Sequence, residues 1–299
     1  MAVHKRTYRP YEGPLTSERW RFLVLPRYAL MELFESRLLT AFVVLCFVPF
    51  IVESAFVYIA HSPAAQAVLG FERSGEEFLR TEFFLVCLTV QGVLAFLLTA
   101  WVAPVLVSPD LVNGALPLFL SRPLSRAEYV LGKGAVLVSL LSAITWVPVL
   151  AVFSLQAGLA DPGWARSHLR IPAAVLAGAL VWIGILTLLG LALSAWIRWR
   201  LVASAALVGV FFMGSAFGEM WREVLRDPWG RLLNLSYLIG LVWRSLFGVF
   251  SQRAMAEEML DDRRMRDLPT WAAWTALAVV GAVCVWMLDR RLRAREVVS

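Results

Sequence analysis

Six long apolar stretches divide the sequence, and they constrain the fold more than any other feature. They lie at roughly 38–60, 83–107, 127–157, 172–197, 200–218 and 270–288. A helix needs about 20 mostly apolar residues to cross the hydrocarbon core of a bilayer. Soluble domains are about half apolar and a quarter charged, whereas this chain is 60% apolar and 17% charged. We therefore predict an all-α, polytopic membrane protein with six transmembrane helices.

The third stretch is longer than one bilayer crossing. Its first turns, including Lys133, are therefore expected to project into the cytoplasm or to reach the membrane surface. Pro148 lies inside the stretch and is expected to kink it, since proline removes a helical hydrogen bond.

The domain boundaries follow from the first span. Residues 1–37 are expected to form a cytoplasmic arm, and residues 38–299 to form the six-span domain. Within 17–36, a helix broken near Pro26 would place its apolar residues near one face, namely Trp20, Leu23, Val24, Met31 and Phe34. Such an amphipathic helix suits the surface of a membrane, although a plain cytoplasmic arm is the simpler alternative.

The basic residues predict the orientation of the chain. Seven Lys and Arg residues precede the first span, and four Arg follow the last one. An even number of spans places both ends on the same side, and the positive-inside rule makes that side cytoplasmic. The loop at 61–82 would then be external.

A segment before the last span resists simple assignment. Residues 232–250 are apolar, but Asn234 and Arg244 interrupt them, and a seventh crossing would export the basic C-terminal tail. We interpret 220–250 as an amphipathic helix on the outer side, interfacial or re-entrant. The charged residues 251–268 are expected to form a solvated external helix or loop, so that the outer segment covers about 220–268.

The remaining composition excludes several function classes. The net charge of +6 and the pI of about 9.6 come from Arg and Lys at span ends, which does not indicate nucleic-acid binding. The three cysteines, Cys46, Cys87 and Cys284, lie in apolar runs without metal-ligand spacing, and the three histidines are scattered. We therefore expect no metal site and no disulfide framework.

The polar stretch LFLSRPLSRAEYVLGK at 118–133 separates two apolar runs. Before it, Ser108, Pro109 and Asp110 have the pattern of a helix start, and Gly114 is suited to end that short helix. Ser125 and Glu128 form a capping box that begins the third span. Arg122 and Arg126 have no such local role, so they are either membrane anchors or contacts for a partner.

The same region resembles the cytoplasmic loop of type-2 ABC transporter permeases. The resemblance rests on D-x-x-x-G-x-L-x-L-x-L-S-R-P-L-S-R at 110–126, followed by Tyr129 and Lys133. Six spans, an interfacial N-terminal helix and an outer segment before the last span extend it loosely over the chain. The family consists of the membrane subunits of exporters.

The resemblance implies a dimer of permease subunits, homomeric or heteromeric, with separate ABC ATPase subunits docked below it in a bacterial cytoplasmic membrane. The loop at about 108–126 would carry the coupling helix. Its ATPase contacts would be Asp110, Gly114, Ser121, Arg122, Pro123, Ser125 and Arg126. Gly132-Lys133-Gly134 is not a phosphate loop, because Ala127 replaces its first glycine and no Ser or Thr follows. ATP and Mg²⁺ would therefore be bound by the partner, and this chain would be no enzyme.

A few residues inside the spans are unusual. Glu53 and Gln91 are expected at similar depth in the first two spans. They would hydrogen-bond to each other or line a substrate path, and the third alternative is that Glu53 reaches the outer interface. Gly214 and Gly218 form a GxxxG pattern, suited to close packing within one subunit or between two. Four tryptophans are expected to serve as interface anchors and in packing rather than as a ligand cage, namely Trp101, Trp146, Trp182 and Trp196.

Two other functions remain as alternatives at this stage. A membrane-embedded enzyme acting on lipid or prenyl diphosphate would need clustered titratable groups, and the acidic run from Asp261 to Asp267 has the wrong spacing for a diphosphate motif. A membrane scaffold without transport activity is the third possibility.

Overall fold

The chain is helical throughout the part that the computed structural model describes, which comprises residues 24–62, 64–66, 79–112, 126–225, 227–249 and 268–292. Six of its helical segments are long and apolar enough to cross a membrane. In chain order these spans are Arg37–His61, Thr81–Ser108, Ala127–Leu159, Arg170–Trp196, Arg200–Leu225 and Thr270–Arg291. The predicted all-helical fold with six candidate spans is confirmed, and the fifth span is the one that extends furthest beyond its predicted end.

Two of the spans are interrupted beside a proline. The first consists of the helices Arg37–Leu45 and Val48–His61, and the third of Arg126–Ile144 and Trp146–Leu159. Proline lacks an N–H, and its ring collides with the carbonyl group four residues earlier, which opens the helix on its N-terminal side. Both breaks lie two or three residues before a proline, Pro49 or Pro148, so the kink predicted at Pro148 is confirmed.

The second span continues past the point where a new helix was predicted. A single helix runs from Thr81 to Val112, so the interpretation of Ser108, Pro109 and Asp110 as a helix start is wrong. Pro109 lies close to the helix end and leaves only the Val105 carbonyl without its usual donor. The buried Ser108 side chain makes its hydrogen bonds to the fourth span instead of capping a helix. Gly114 and Pro123 lie outside the described residues.

The fourth span forms the centre of the bundle. In its most apolar window 67% of the residues are buried, against 17% in the first span. Small residues permit close neighbours, since a Cβ atom built on Gly190 would lie 2.8 Å from the Ala103 Cβ atom of the second span. The first, fifth and sixth spans lie at the periphery and expose apolar side chains along their lengths.

The segment between the fifth and sixth spans folds back into the bundle. A 3-10 helix, Pro228–Leu233, leads into the helix Leu235–Phe247, which ends at Gly248 with a left-handed backbone (φ 71°). Thirteen residues measure only about 20 Å at 1.5 Å per residue, so this helix is too short for a seventh span. It packs against the second, fourth, fifth and sixth spans, and we call it the inserted helix. Its interfacial or re-entrant position relative to the membrane stays a prediction. Residues 250–267 lie outside the described residues.

The N-terminal arm contributes one described helix, Val24–Phe34. Pro26 lies in its first turn, and the helix packs along the first half of the third span with Leu33 buried. Met31 and Phe34, two members of the predicted apolar face, remain exposed. That face is therefore available to a membrane surface, and the predicted segment before Val24 lies outside the described residues.

The GxxxG glycines of the fifth span are covered by the 3-10 helix of the same chain. A Cβ atom on Gly214 would collide with the Leu233 carbonyl oxygen, and one on Gly218 would lie 3.1 Å from the Gly230 carbonyl oxygen. Of the two predicted uses of this pattern, the described residues show packing within one chain.

The close contact at Gly214 predicts a specific loss of stability. Gly214→Ala should lower the free energy of unfolding by about 1–3 kcal/mol, because the added methyl group meets a backbone carbonyl that cannot move without shifting the 3-10 helix. Gly209→Ala is the matched control, since its Cβ would meet nothing within 4 Å and alanine favours a helix by up to about 1 kcal/mol. Thermal unfolding in detergent measures both. Equal melting temperatures for the two variants would contradict the packing described here.

Candidate functional site

A polar clamp joins the second and third spans close to Val112 and Arg126, the described residues on either side of their connection. The Asp110 carboxylate accepts a hydrogen bond from the Tyr129 hydroxyl at 2.7 Å and forms an ion pair with Lys133 at 2.8 Å. Tyr129 and Lys133 are four residues apart on one helix, so they share a face. The sequence between them and Asp110 is the region that carries the family resemblance.

The clamp is largely shielded from water. Tyr129 is 1% exposed, and the side chains of Lys133 and Asp110 are 12% and 18% exposed. A shielded ion pair is screened much less by salt than one on the surface. Removing one partner would leave the other charge buried and uncompensated, which is strongly destabilising. Lys133 is thus paired with Asp110, and its position at the cytoplasmic or membrane surface stays a prediction.

A second polar contact joins the second span to the fourth. The Ser108 hydroxyl lies 3.1 Å from both the carbonyl and the hydroxyl oxygen of Ser194, and 3.1 Å from the Ile197 carbonyl oxygen. The last carbonyl groups of a helix lack partners within that helix. The single Ser108 hydroxyl proton is thus offered to these carbonyl groups at the end of the fourth span, which continues to Trp196.

The sixth span is tied to the same end of the fourth. The Trp196 indole donates a hydrogen bond to the Met287 carbonyl at 3.1 Å, and Arg291 donates to the Ala195 carbonyl at 3.2 Å. Together with the clamp and the Ser108 contact, these bonds fix the ends of four spans to one another. We call this the clamped end of the bundle.

Most of the predicted ATPase contacts lie outside the described residues, namely Gly114, Ser121, Arg122, Pro123 and Ser125. The third span begins at Arg126 with Glu128 in its first turn, where the capping box places the start of that helix. The Arg126 side chain also lies outside the described part. The role of these residues in binding an ATPase stays a prediction, and Asp110 is the one among them whose side-chain contacts are described.

Gln91 bridges the two broken spans. It is 0% exposed. The oxygen and nitrogen of an amide are assigned from their neighbours, and the orientation that satisfies both atoms has the nitrogen donating to the Ile144 carbonyl at 2.8 Å and to the Cys46 carbonyl at 3.2 Å. Pro148 cannot donate to Ile144 four residues earlier, so Gln91 supplies the missing hydrogen bond. The Cys46 carbonyl lies at the break in the first span.

The predicted hydrogen bond between Glu53 and Gln91 is therefore not formed, since the nitrogen of Gln91 serves the two backbone carbonyls. Glu53 hydrogen-bonds instead to the Cys87 thiol, one helical turn from Gln91 on the second span. The Glu53 Oε2 atom is buried without a hydrogen-bond partner among the described residues. The alternative role of both residues in a substrate path stays a prediction.

An apolar pocket of about 470 Å³ lies on the side of the bundle, between the second span, the fifth span and the inserted helix. Neither Glu53 nor Gln91 lines it. Trp182 and Trp243 form its back wall, and their indole nitrogens donate to the carbonyls of Gly92 and Gly178 at 2.9 Å. Trp182 therefore packs inside the bundle rather than anchoring an interface.

Sequence reasoning missed the partners that complete these contacts. Ser194 and Trp243 lie 86 and 65 residues from Ser108 and Gly178, too far for any local pattern to link them. The available signal was the small number of polar residues within apolar runs, which must find partners when they are buried. No family model matches the chain, and no curated protein matches it.

The bridge made by Gln91 predicts a dependence on Pro148. Gln91→Leu should lower the free energy of unfolding by about 1–3 kcal/mol, because it leaves buried carbonyls unpaired. In a Pro148→Ala background the loss should be smaller, because residue 148 then has an N–H to offer Ile144. Thermal unfolding of the four proteins of this cycle measures the coupling.

Thr89→Val is the control for this cycle. Thr89 lies on the same span, is exposed, and bonds only within its own helix to the Leu85 carbonyl at 2.7 Å. It should change stability little. Strictly additive effects of Gln91→Leu and Pro148→Ala would show that the amide does not replace the donor removed by proline.

Proposed function

We propose that this chain is the membrane-spanning permease subunit of an ATP-binding-cassette transporter that exports its substrate. The observation that carries the proposal is the clamp of Asp110, Tyr129 and Lys133. It lies beside the connection whose sequence resembles the coupling loop of type-2 permeases. The six candidate spans agree with the proposal, because the family consists of six-span subunits.

In the proposed mechanism the clamped end transmits the movement of the ATPase to the spans. A coupling loop between Val112 and Arg126 would receive the movement of the ATPase. Because the clamp ties the second and third spans together there, and Ser108 ties the second to the fourth, the spans would respond as one body. Alternating access needs such rigid movement, since packed interfaces switch between discrete arrangements rather than deforming continuously.

The proposal also assigns partners and a location. The ATPase subunits would bind ATP and Mg²⁺, and a second permease subunit would complete the transporter in a bacterial cytoplasmic membrane, with both termini in the cytoplasm. The exposed apolar faces of the first, fifth and sixth spans support contact with lipid and with a second subunit.

A co-purification experiment tests the partner assignment. A Walker-motif ATPase encoded beside this chain should co-purify with the wild type and be lost with Arg122→Glu plus Arg126→Glu, because the substitutions reverse the charge of the proposed contact. Arg198→Glu plus Arg200→Glu is the matched control at the same end of the bundle. Undiminished binding by the first double variant would contradict the coupling assignment. Failure of the wild type to bind any such ATPase would favour an enzyme or a scaffold.

The clamp predicts a second, separable effect. Lys133→Met should leave ATPase binding intact but lower the ATP-hydrolysis rate of the complex toward that of the isolated ATPase, because Asp110 loses its counter-charge and the two spans lose their ion pair. Lys133→Met with Asp110→Asn leaves no uncompensated charge and serves as the control for misfolding. A wild-type hydrolysis rate in Lys133→Met would show that the clamp has no part in coupling.

A further inference from the structure

The apolar pocket on the side of the bundle opens near the middle of two candidate spans. Its mouth is formed by Val93 and Leu97 of the second span and Phe212 of the fifth, which are all exposed. These residues lie near the midpoints of their spans, Thr81–Ser108 and Arg200–Leu225. In a spanning orientation the mouth therefore lies at the depth of the hydrocarbon core of the bilayer rather than at the depth of the headgroups.

The wall of the pocket is chemically uniform. Aromatic rings dominate it, with Phe96 against Phe211 at a centroid distance of 4.8 Å and Trp182 against Trp243 at 6.1 Å. None of the residues that line it is ionisable. A charged or strongly polar ligand would lose its hydration there without compensation.

Most polar groups in the wall already hydrogen-bond to other groups of the protein. The two indole nitrogens donate to backbone carbonyls, and the hydroxyl groups of Thr89 and Ser215 donate to Leu85 and Asn234. Among the described contacts of the lining side chains, only the Ser236 hydroxyl has no protein partner. A ligand would therefore find at most one free hydrogen-bonding side chain.

We propose that this pocket binds an uncharged hydrocarbon group, a chain or a ring, that enters sideways from the bilayer core. Its volume of about 470 Å³ lies within the range of ligand pockets, roughly 300–1,000 Å³. The inference goes beyond the proposed transport function and does not depend on it. Binding is a property of this chain alone, so it is tested without any ATPase.

Photolabelling of the full chain in phosphatidylcholine nanodiscs tests the proposal. One arm uses a phosphatidylcholine that carries a diazirine in the middle of an acyl chain, and the other uses a trifluoromethyl-phenyl-diazirine dissolved in the bilayer. Mass spectrometry reads the label at Trp182 and Trp243, which are 6% and 5% exposed. Ile51, exposed on the first span, and Leu186, fully buried in the fourth, are the internal references.

Label at both tryptophans well above that at Leu186 is the expected result. If the phospholipid arm produces it, the occupant is a lipid acyl chain. If only the small diazirine produces it, the occupant is a diffusible apolar molecule. The proposal is overturned if, in both arms, Ile51 is labelled but neither tryptophan is labelled above the level of Leu186.

A variant whose added side chain fills the pocket tests whether the label reaches the tryptophans through it. Gly240 lines the pocket, and a Cβ atom there would meet nothing within 4 Å. Gly240→Leu should reduce the label at Trp182 and Trp243 to the Leu186 level without changing Ile51. Gly209→Leu adds the same side chain to open space outside the pocket and should leave all labels unchanged.

Ser236→Leu fills the pocket from another turn of the inserted helix and replaces Gly240→Leu if that variant does not fold. Unchanged tryptophan label in a folded variant of either kind would show that the label does not enter through this pocket, and would overturn the proposal.

Discussion

The architecture of this bundle depends on one buried amide. Two prolines open the first and third spans at neighbouring positions, and an open helix leaves backbone carbonyls without donors in an apolar interior. Each unsatisfied group there costs several kcal/mol in lipid. Gln91 resolves this conflict by donating to Ile144 and Cys46 from a third helix. The breaks in the first and third spans are thus fixed relative to each other, because one side chain hydrogen-bonds to both.

The two ends of the bundle are organised by different means. At the clamped end, hydrogen bonds and an ion pair fix four spans to one another beside the connection with the family resemblance. Toward the other end the inserted helix is held by apolar packing rather than by ion pairs. The Trp243 ring fills a space that exists because Gly92 and Gly178 lack side chains. The bundle thus combines hydrogen bonds and an ion pair at one end with an apolar pocket beside the inserted helix.

Local sequence patterns predicted much of the fold and little of the site. Span positions follow from hydropathy, and the break at Pro148 follows from the chemistry of proline. Ser108 shows where such reasoning stops: its sequence matches a helix cap, yet tertiary contacts with Ser194 outweigh that local preference. Glu53 and Gln91 stand out in the sequence as polar residues inside apolar spans, but their partners do not, because a carbonyl freed by a distant proline leaves no mark in the residues around Gln91.

The position of the inserted helix has a consequence for the order in which the protein assembles. Trp243 donates to Gly178 in the fourth span and packs against Gly92 in the second, so its slot must stay unfilled until some 240 residues have been synthesised. The Tyr237 hydroxyl then accepts a hydrogen bond from the Leu268 N–H group, immediately before the last span. The second and fourth spans therefore complete their packing only after the inserted helix has been synthesised. Insertion of the Trp243 ring is a late step between residues far apart in sequence, and such steps expose a nascent chain to misassembly.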